Sequence, residues 1–321
     1  MILPKPRGDL SEALFATLRV APDVSPTPVV PSSDAASDAT DAALSLWVLH
    51  ELSYRGFEDV VEEAEWDPRL LGVRRDLERD LEARLRDRWP GPEPGGDDFS
   101  ADLFSYVESH DGPSLARFVQ TEATEEQVLD LLRLRSIYHL KESDPTAWVL
   151  PRLPVSPKAA LAELQYDEYG AGDPNRLHHH LFARGMEAVG LRSEYAAYLD
   201  DAPLEVLEMN NAVSMFGLHR RLRGAALGHL AAFEATSSVP SRWMAQGLDR
   251  LGLAEEMIGY YSEHVSADAV HDQLAVRAVC GGLVEAEPEQ RGEVFFGAFT
   301  CLDLEARLAT LLLTRWGATD E

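Results

Sequence analysis

Cysteine is scarce: only Cys280 and Cys301 occur in 321 residues, and neither belongs to a CxxC or zinc-ribbon spacing. A disulfide scaffold is thereby excluded, and the usage fits a reducing compartment. Positive charge is also short, with 29 Lys and Arg against 55 Asp and Glu, a formal net charge of −26. Binding to nucleic acid or to an anionic membrane needs clustered Lys and Arg, so neither is expected as a partner. No window approaches about 18 uninterrupted apolar residues, so no membrane-spanning helix is expected. Met1-Ile-Leu-Pro-Lys-Pro-Arg7 lacks the apolar stretch of a secretion signal, and with the cysteine usage this makes the cytoplasm the expected location.

The common catalytic signatures are missing too. There is no GxGxxG, GxxxxGK[ST], GxSxG or HExxH, so dinucleotide, P-loop, hydrolase-elbow and zincin readings lack local support. No Glu-x-x-His precedes any of the ten histidines, which disfavours the ferritin-like di-iron bundle.

What is present is helix. Apolar residues make up 45% of the chain, enough for a sizeable core, and strand-like alternation is nearly absent. Residues 21–40 hold four prolines among Ser and Asp, so residues 1–40 read as a flexible N-terminal arm. Leu44, Leu46, Val48, Leu49 and Leu52, then Leu77, Leu81 and Leu85, give a helical extension over 41–98, interrupted by Pro90-Gly-Pro-Glu-Pro-Gly-Gly96. Residues 99–321 form the main domain, with helices expected over 124–142, 156–168, 174–189, 191–199, 203–235, 254–283 and 288–316. The predicted fold class is all-α, a helical bundle with an N-terminal helical extension. The amphipathic helices of 41–89 need a partner face, which makes a homodimer an expectation.

Chemistry concentrates in three places. Tyr261-Ser-Glu-His-Val-Ser-Ala-Asp-Ala-Val-His271 carries His264, Asp268 and His271. Steps of +4 and +7 rotate by about +40° and −20° around a helix, so the three share one stripe and form a nitrogen/oxygen set suited to iron or zinc. A solvated polar face is the bland alternative, but Val265, Ala269, Val270 and the apolar run from Leu274 point to a covered helix. Next, Glu142 follows His139, while Glu168 and His178 lie ten residues apart across a Gly/Pro break that can bring them together at a corner. A surface-charge reading of this region stays open. Glu234, late in the apolar helix around His229, is a third carboxylate.

Taken in order, these residues resemble the haem-oxygenase-like di-iron oxidases and oxygenases. The resemblance implies a haem-oxygenase-like bundle in which Glu142, Glu168, His178, Glu234, His264, Asp268 and His271 are the metal ligands and the catalytic set. It implies two Fe(II) ions as cofactor, O2 as co-substrate and an external electron donor. Four carboxylates would neutralise two ferrous ions, which eases burial. The intervals, and Glu234 as a seventh ligand, are most similar to N-oxygenating members acting on an amine- or guanidine-containing small molecule. Oxidative C–C cleavage or desaturation of an amino or fatty acid is the alternative within the family, and a non-catalytic helical binding module the alternative outside it. Asn210, Asn211, Arg220 and Gln165 are candidates for pocket polar groups, each of which also has a structural reading.

Overall fold

The computed structural model describes residues 1–20, 29–91 and 95–318, without the side chains of 266–270. It is all-α: no strand occurs among the described residues. In chain order the helices are α1 (Asp9–Leu18), α2 (Ala39–Glu51), α3 (Pro68–Arg88), α4 (Phe99–Glu108), α5 (Leu115–Thr121), α6 (Glu125–His139), α7 (Asp144–Ala147), α8 (Val155–Glu168), α9 (His178–Ala188), α10 (Leu204–Leu218), α11 (Arg223–Ala235), α12 (Ser238–Arg250), α13 (Glu255–Gln273), α14 (Gly282–Ala286) and α15 (Arg291–Arg315). The chain divides into two units, Met1–Arg88 with Tyr198–Met215, and Trp89–Ala197 with Phe216–Glu321.

In the first unit, α1 packs on α2 and α2 on α3. Asp41 at the start of α2 is fully buried, and its carboxylate accepts from the Leu10 and Ser11 amides at 3.0 and 2.9 Å, capping the α1 N-terminus. Leu10, Leu14 and Phe15 complete the docking. The flexible arm expected over 1–40 is therefore corrected for Asp9–Leu18, because a cap and an apolar stripe tie that segment down; residues 21–28 lie outside the described ones. Deeper in the unit, the His50 ring lies between two acceptors, Asn211 Oδ1 (3.2 Å) and Glu78 Oε1 (3.0 Å). Residues 198–215 join this unit through such pairings, so the boundaries 41–98 and 99–321 do not coincide with the two units.

The second unit is built on the α11–α15 pair. These helices cross at glycine: a Cβ on Gly228 would lie 1.9 Å from the Val294 carbonyl oxygen, and one on Gly297 1.9 Å from that of Ala225. α13 packs on α9, α11 and α12, and runs into a π-helical segment over Leu274–Gly281 that packs on α8. Thr124 and Gln127 form the reciprocal cap expected at the start of α6. Regular helix stops at His139 rather than 142, leaving Glu142 in the turn before α7, where Pro145 sits in the first helical turn. The helix read over 203–235 is divided at His219, and 191–199 holds no α-helix.

Candidate metal centre

Five segments of the second unit converge. The turn after α6 carries Glu142, the end of α8 carries Glu168, the start of α9 carries His178, α11 carries Glu234, and α13 carries His264 and His271. All six side chains are buried, none above 8% exposed. The α8–α9 corner is made by Gly170 and Gly172 at φ 72° and 86°, with Ala171 between them at 54°. A Cβ on Gly170 would sit 2.6 Å from the backbone of Arg176 and Leu177, so only glycine lets the chain double back this closely. The consequence is a 3.1 Å approach of His178 Nδ1 to Glu168 Oε2.

The six residues fall into two groups, Glu142–His178–His264 and Glu168–Glu234–His271, each with its donor atoms within 4.8 Å of one another. Glu168 reaches both: Oε2 lies toward His178, and Oε1 lies 3.6 Å from His271 Nδ1. Glu234 Oε2 is 3.7 Å from the same His271 nitrogen. Asp268, the seventh predicted residue, lies in α13 but outside the described side chains.

Hydrogen bonding sets the imidazole tautomers. His264 Nδ1 lies 2.8 Å from the Tyr260 carbonyl oxygen, which only accepts, so Nδ1 carries the proton and Nε2 presents a lone pair. That Nε2 has no hydrogen-bond partner and is 4.0 Å from Glu142 Oε1. His271 Nε2 lies 3.4 Å from Asp167 Oδ2, and Nδ1 is turned on Glu168 and Glu234, so both ring nitrogens face carboxylate oxygens. Carboxylates on both sides of a buried imidazole demand positive charge there, carried by a proton on the ring or by a cation between them. Electrostatics expresses the same demand: burial pushes His271 down, but Glu234, Glu168 and Asp167 outweigh it and hold it up at about 9. Burial likewise raises Glu142, and His139, His264 and His178 more than offset it, to about 2.

Residues that sequence reasoning did not place surround these groups. Tyr260 donates to Glu142 Oε2 at 3.2 Å and meets His139 Nδ1 at 3.0 Å; His139 Nδ1 is itself 3.3 Å from Glu142 Oε1. Ser143 donates to Glu168 Oε2 at 2.9 Å. Tyr260 had a signal only in hindsight, one helical turn before His264 on the same stripe. Between the groups lies a cavity of about 20 Å³, walled by Tyr138, Thr146, Leu164, Leu230 and Phe233. Gln165 lines it, whereas Asn210 and Asn211 bond the backbone carbonyls of Val206 and Ala43, and Arg220 is exposed.

The donor set fits iron: mixed imidazole and carboxylate, no thiolate, two linked groups, and lone pairs aimed inward. The neighbouring π-helix is a feature that recurs at functional sites. No helix among the described residues is long and apolar enough to cross a membrane.

Comparison with known proteins agrees. The model of a family described as iron-containing redox enzymes matches residues 129–306, more than half of the chain, and spans all seven predicted ligands. Among solved structures, a CADD-like protein of unknown function from Nostoc punctiforme matches with TM-score 0.50 and 17% identity, covering 74% of this chain and 97% of that one. A second crystal structure of that protein matches with TM-score 0.48, also at 17% identity, over 76% and 97% of the two chains. No curated protein matches.

Proposed function

Because this chain belongs to the iron-containing redox enzyme family, we propose that its two buried groups hold a pair of ferrous ions and that it N-oxygenates an amine- or guanidine-type nitrogen of a small molecule. The observation that carries the metal reading is the inward lone pair of His264 Nε2 facing Glu142, together with His271 Nδ1 turned on the carboxylates of Glu168 and Glu234. Six described ligands and Asp268 make up the seven-residue set. Its intervals are similar to those of the N-oxygenase domain that makes the nitrosourea group of streptozotocin, and this supports the N-oxygenating choice.

Ferrous iron bound there supplies electrons and open coordination positions for the reduction of O2. The protein's part is positioning. Tyr260 and His139 fix both oxygens of Glu142, Ser143 fixes Glu168 between the two groups, and Asp167 orients the His271 ring. Leu164, Leu230 and Phe233 keep the intervening space to about 20 Å³, room for one molecule of about the size of water. Conversion of R–NH2 with O2 to R–NHOH and water takes up two electrons and two protons, so the reaction draws on an external reductant.

The test is isotopic. The protein is loaded anaerobically with Fe(II), then given 18O2, a chemical reductant and a panel of amines and guanidines, with products read by mass spectrometry. One labelled oxygen on nitrogen is expected, abolished by His264→Ala and by His271→Ala and retained by His179→Ala and His180→Ala, whose side chains are not buried. Loss of carbon as an alkene would place the protein in the C–C-cleaving class instead. Full activity in His271→Ala would overturn the ligand assignment.

A further inference from the structure

Of the buried side-chain atoms without a hydrogen-bond partner among the described residues, two belong to residues lining the cavity of about 20 Å³ between the metal groups: His264 Nε2 and Gln165 Oε1. The first faces Glu142 and belongs to the ligand set. The second has no such role. Gln165 is 3% exposed and lies among the buried positions of α8 with Leu161, Leu164 and Glu168. A buried acceptor left without a donor costs folding free energy, so apolar side chains are the ordinary occupants of such positions. Ser143 lines the same cavity but donates its hydroxyl to Glu168 Oε2. The Gln165 oxygen remains uncommitted.

Place and chemistry together explain an amide there. Gln165 precedes Glu168 by three residues, about 60° apart around α8, so the two side chains project from neighbouring positions on one face. Glu168 reaches both metal groups, and Gln165 lines the space between them, along with Glu142 and His264 of one group and Glu234 of the other. An amide offers an oxygen that accepts and an NH2 that donates, and half a turn about its last torsion exchanges the two in space. It also carries no charge. The balance of four carboxylates against two ferrous ions is therefore untouched, whereas a carboxylate at this position would upset it.

We propose that the Gln165 amide binds and orients the one small molecule this cavity admits, accepting a hydrogen bond from water at rest and donating one to O2 when O2 takes that place. The inference rests on the two-iron reading above and adds a residue outside the seven ligands. O2 itself is a weak acceptor. A fixed donor pulls harder as negative charge develops on its partner, so the amide favours oxygen that is being reduced over dissolved O2.

Gln165→Met keeps a side chain of similar length and removes both hydrogen-bonding groups. Three measurements decide. In the metal-free protein the urea midpoint of the variant should be no lower than the native one, because the Gln165 oxygen has no partner to lose. Anaerobic titration should give the same Fe(II) stoichiometry for both proteins and affinities within about threefold, since Gln165 is not a ligand. Nitric oxide, a diatomic stand-in for O2, should bind the Fe(II)-loaded variant about fivefold more weakly than the loaded native protein. Its infrared N–O stretch should shift when native protein is moved to D2O, where amide protons exchange, and should stay in place in the variant. A lowered midpoint would reveal a structural bond and lost iron would reveal a ligand; either overturns the proposal, as does nitric oxide binding equal to native. Native protein that takes up no Fe(II) would instead overturn the two-iron reading, and this inference with it.

Discussion

Replacing Glu234 by Gln isolates the electrostatic demand at the metal centre, because the amide keeps the shape and removes one charge. His271 is held at about 9 against an ordinary 6.5, so the surroundings favour a positive charge at its ring by about 3 kcal/mol, net of the burial that opposes it. Glu234 leads the groups that raise it, ahead of Glu168 and Asp167. Removing the largest of three contributions takes away at least a third of that preference, about 1 kcal/mol, or about fivefold for a proton. A divalent ion carries twice the charge, so the same field acts twice as strongly and the expected loss is about thirtyfold in Fe(II) affinity. The assay is an anaerobic titration of metal-free protein with Fe(II) under a competing chelator, paired with NMR titration of His271. The His271 pKa should fall by about 0.7 unit, from about 9, in Glu234→Gln. As a control, Glu263→Gln alters a half-exposed carboxylate on α13, the helix of His271, and should change neither quantity. If Glu234→Gln bound Fe(II) as the control does, Glu234 would not face a cation and the two-group reading of the centre would fail.

Other expectations follow from the surrounding structure. Tyr260→Phe removes donation to Glu142 and the contact with His139, and should weaken Fe(II) binding by about 10- to 100-fold with helical circular dichroism unchanged; unchanged affinity would remove Tyr260 from the support of the site. Gly228→Ala and Gly297→Ala each push a methyl into backbone across the α11–α15 crossing and should cost at least about 2 kcal/mol in urea unfolding, whereas Gly292→Ala, which meets nothing within 4 Å, should not. His50 and His229 are held neutral by burial, each lowered from 6.5 to about 4. The unfolded chain takes up their protons as pH falls through about 6.5 while the folded chain does not until about 4, so stability is lost across that window by up to about 3 kcal/mol per residue. The acid loss should be smaller by about that amount in His229→Gln, and an identical pH profile would contradict a buried neutral His229.

The helical class was legible because helix-period apolar positions and caps are local, as Thr124 and Gln127 show. The stripe on α13 followed from helical geometry, and the Gly170–Gly172 corner announced a close return whose partner, His178, was named in advance. The interruption at Glu142 was not legible: regular helix ends at His139, and the turn that aims Glu142 depends on tertiary contacts with Tyr260 and His139. The assignment of 198–215 to the N-terminal unit was equally hidden, since it rests on pairings such as His50 with Asn211, 161 positions apart. The docking of Asp9–Leu18 depended on Asp41, a cap supplied from another helix rather than from the residue before the helix start.

The central claim is that the two buried groups hold two iron ions, and anaerobic equilibrium dialysis with Fe(II) tests it most directly. The account predicts near two Fe(II) per chain for the native sequence, and a combined His264→Ala, His271→Ala variant that folds but retains almost none. Native protein that takes up no iron, or a double variant that takes up as much as the native chain, would contradict it.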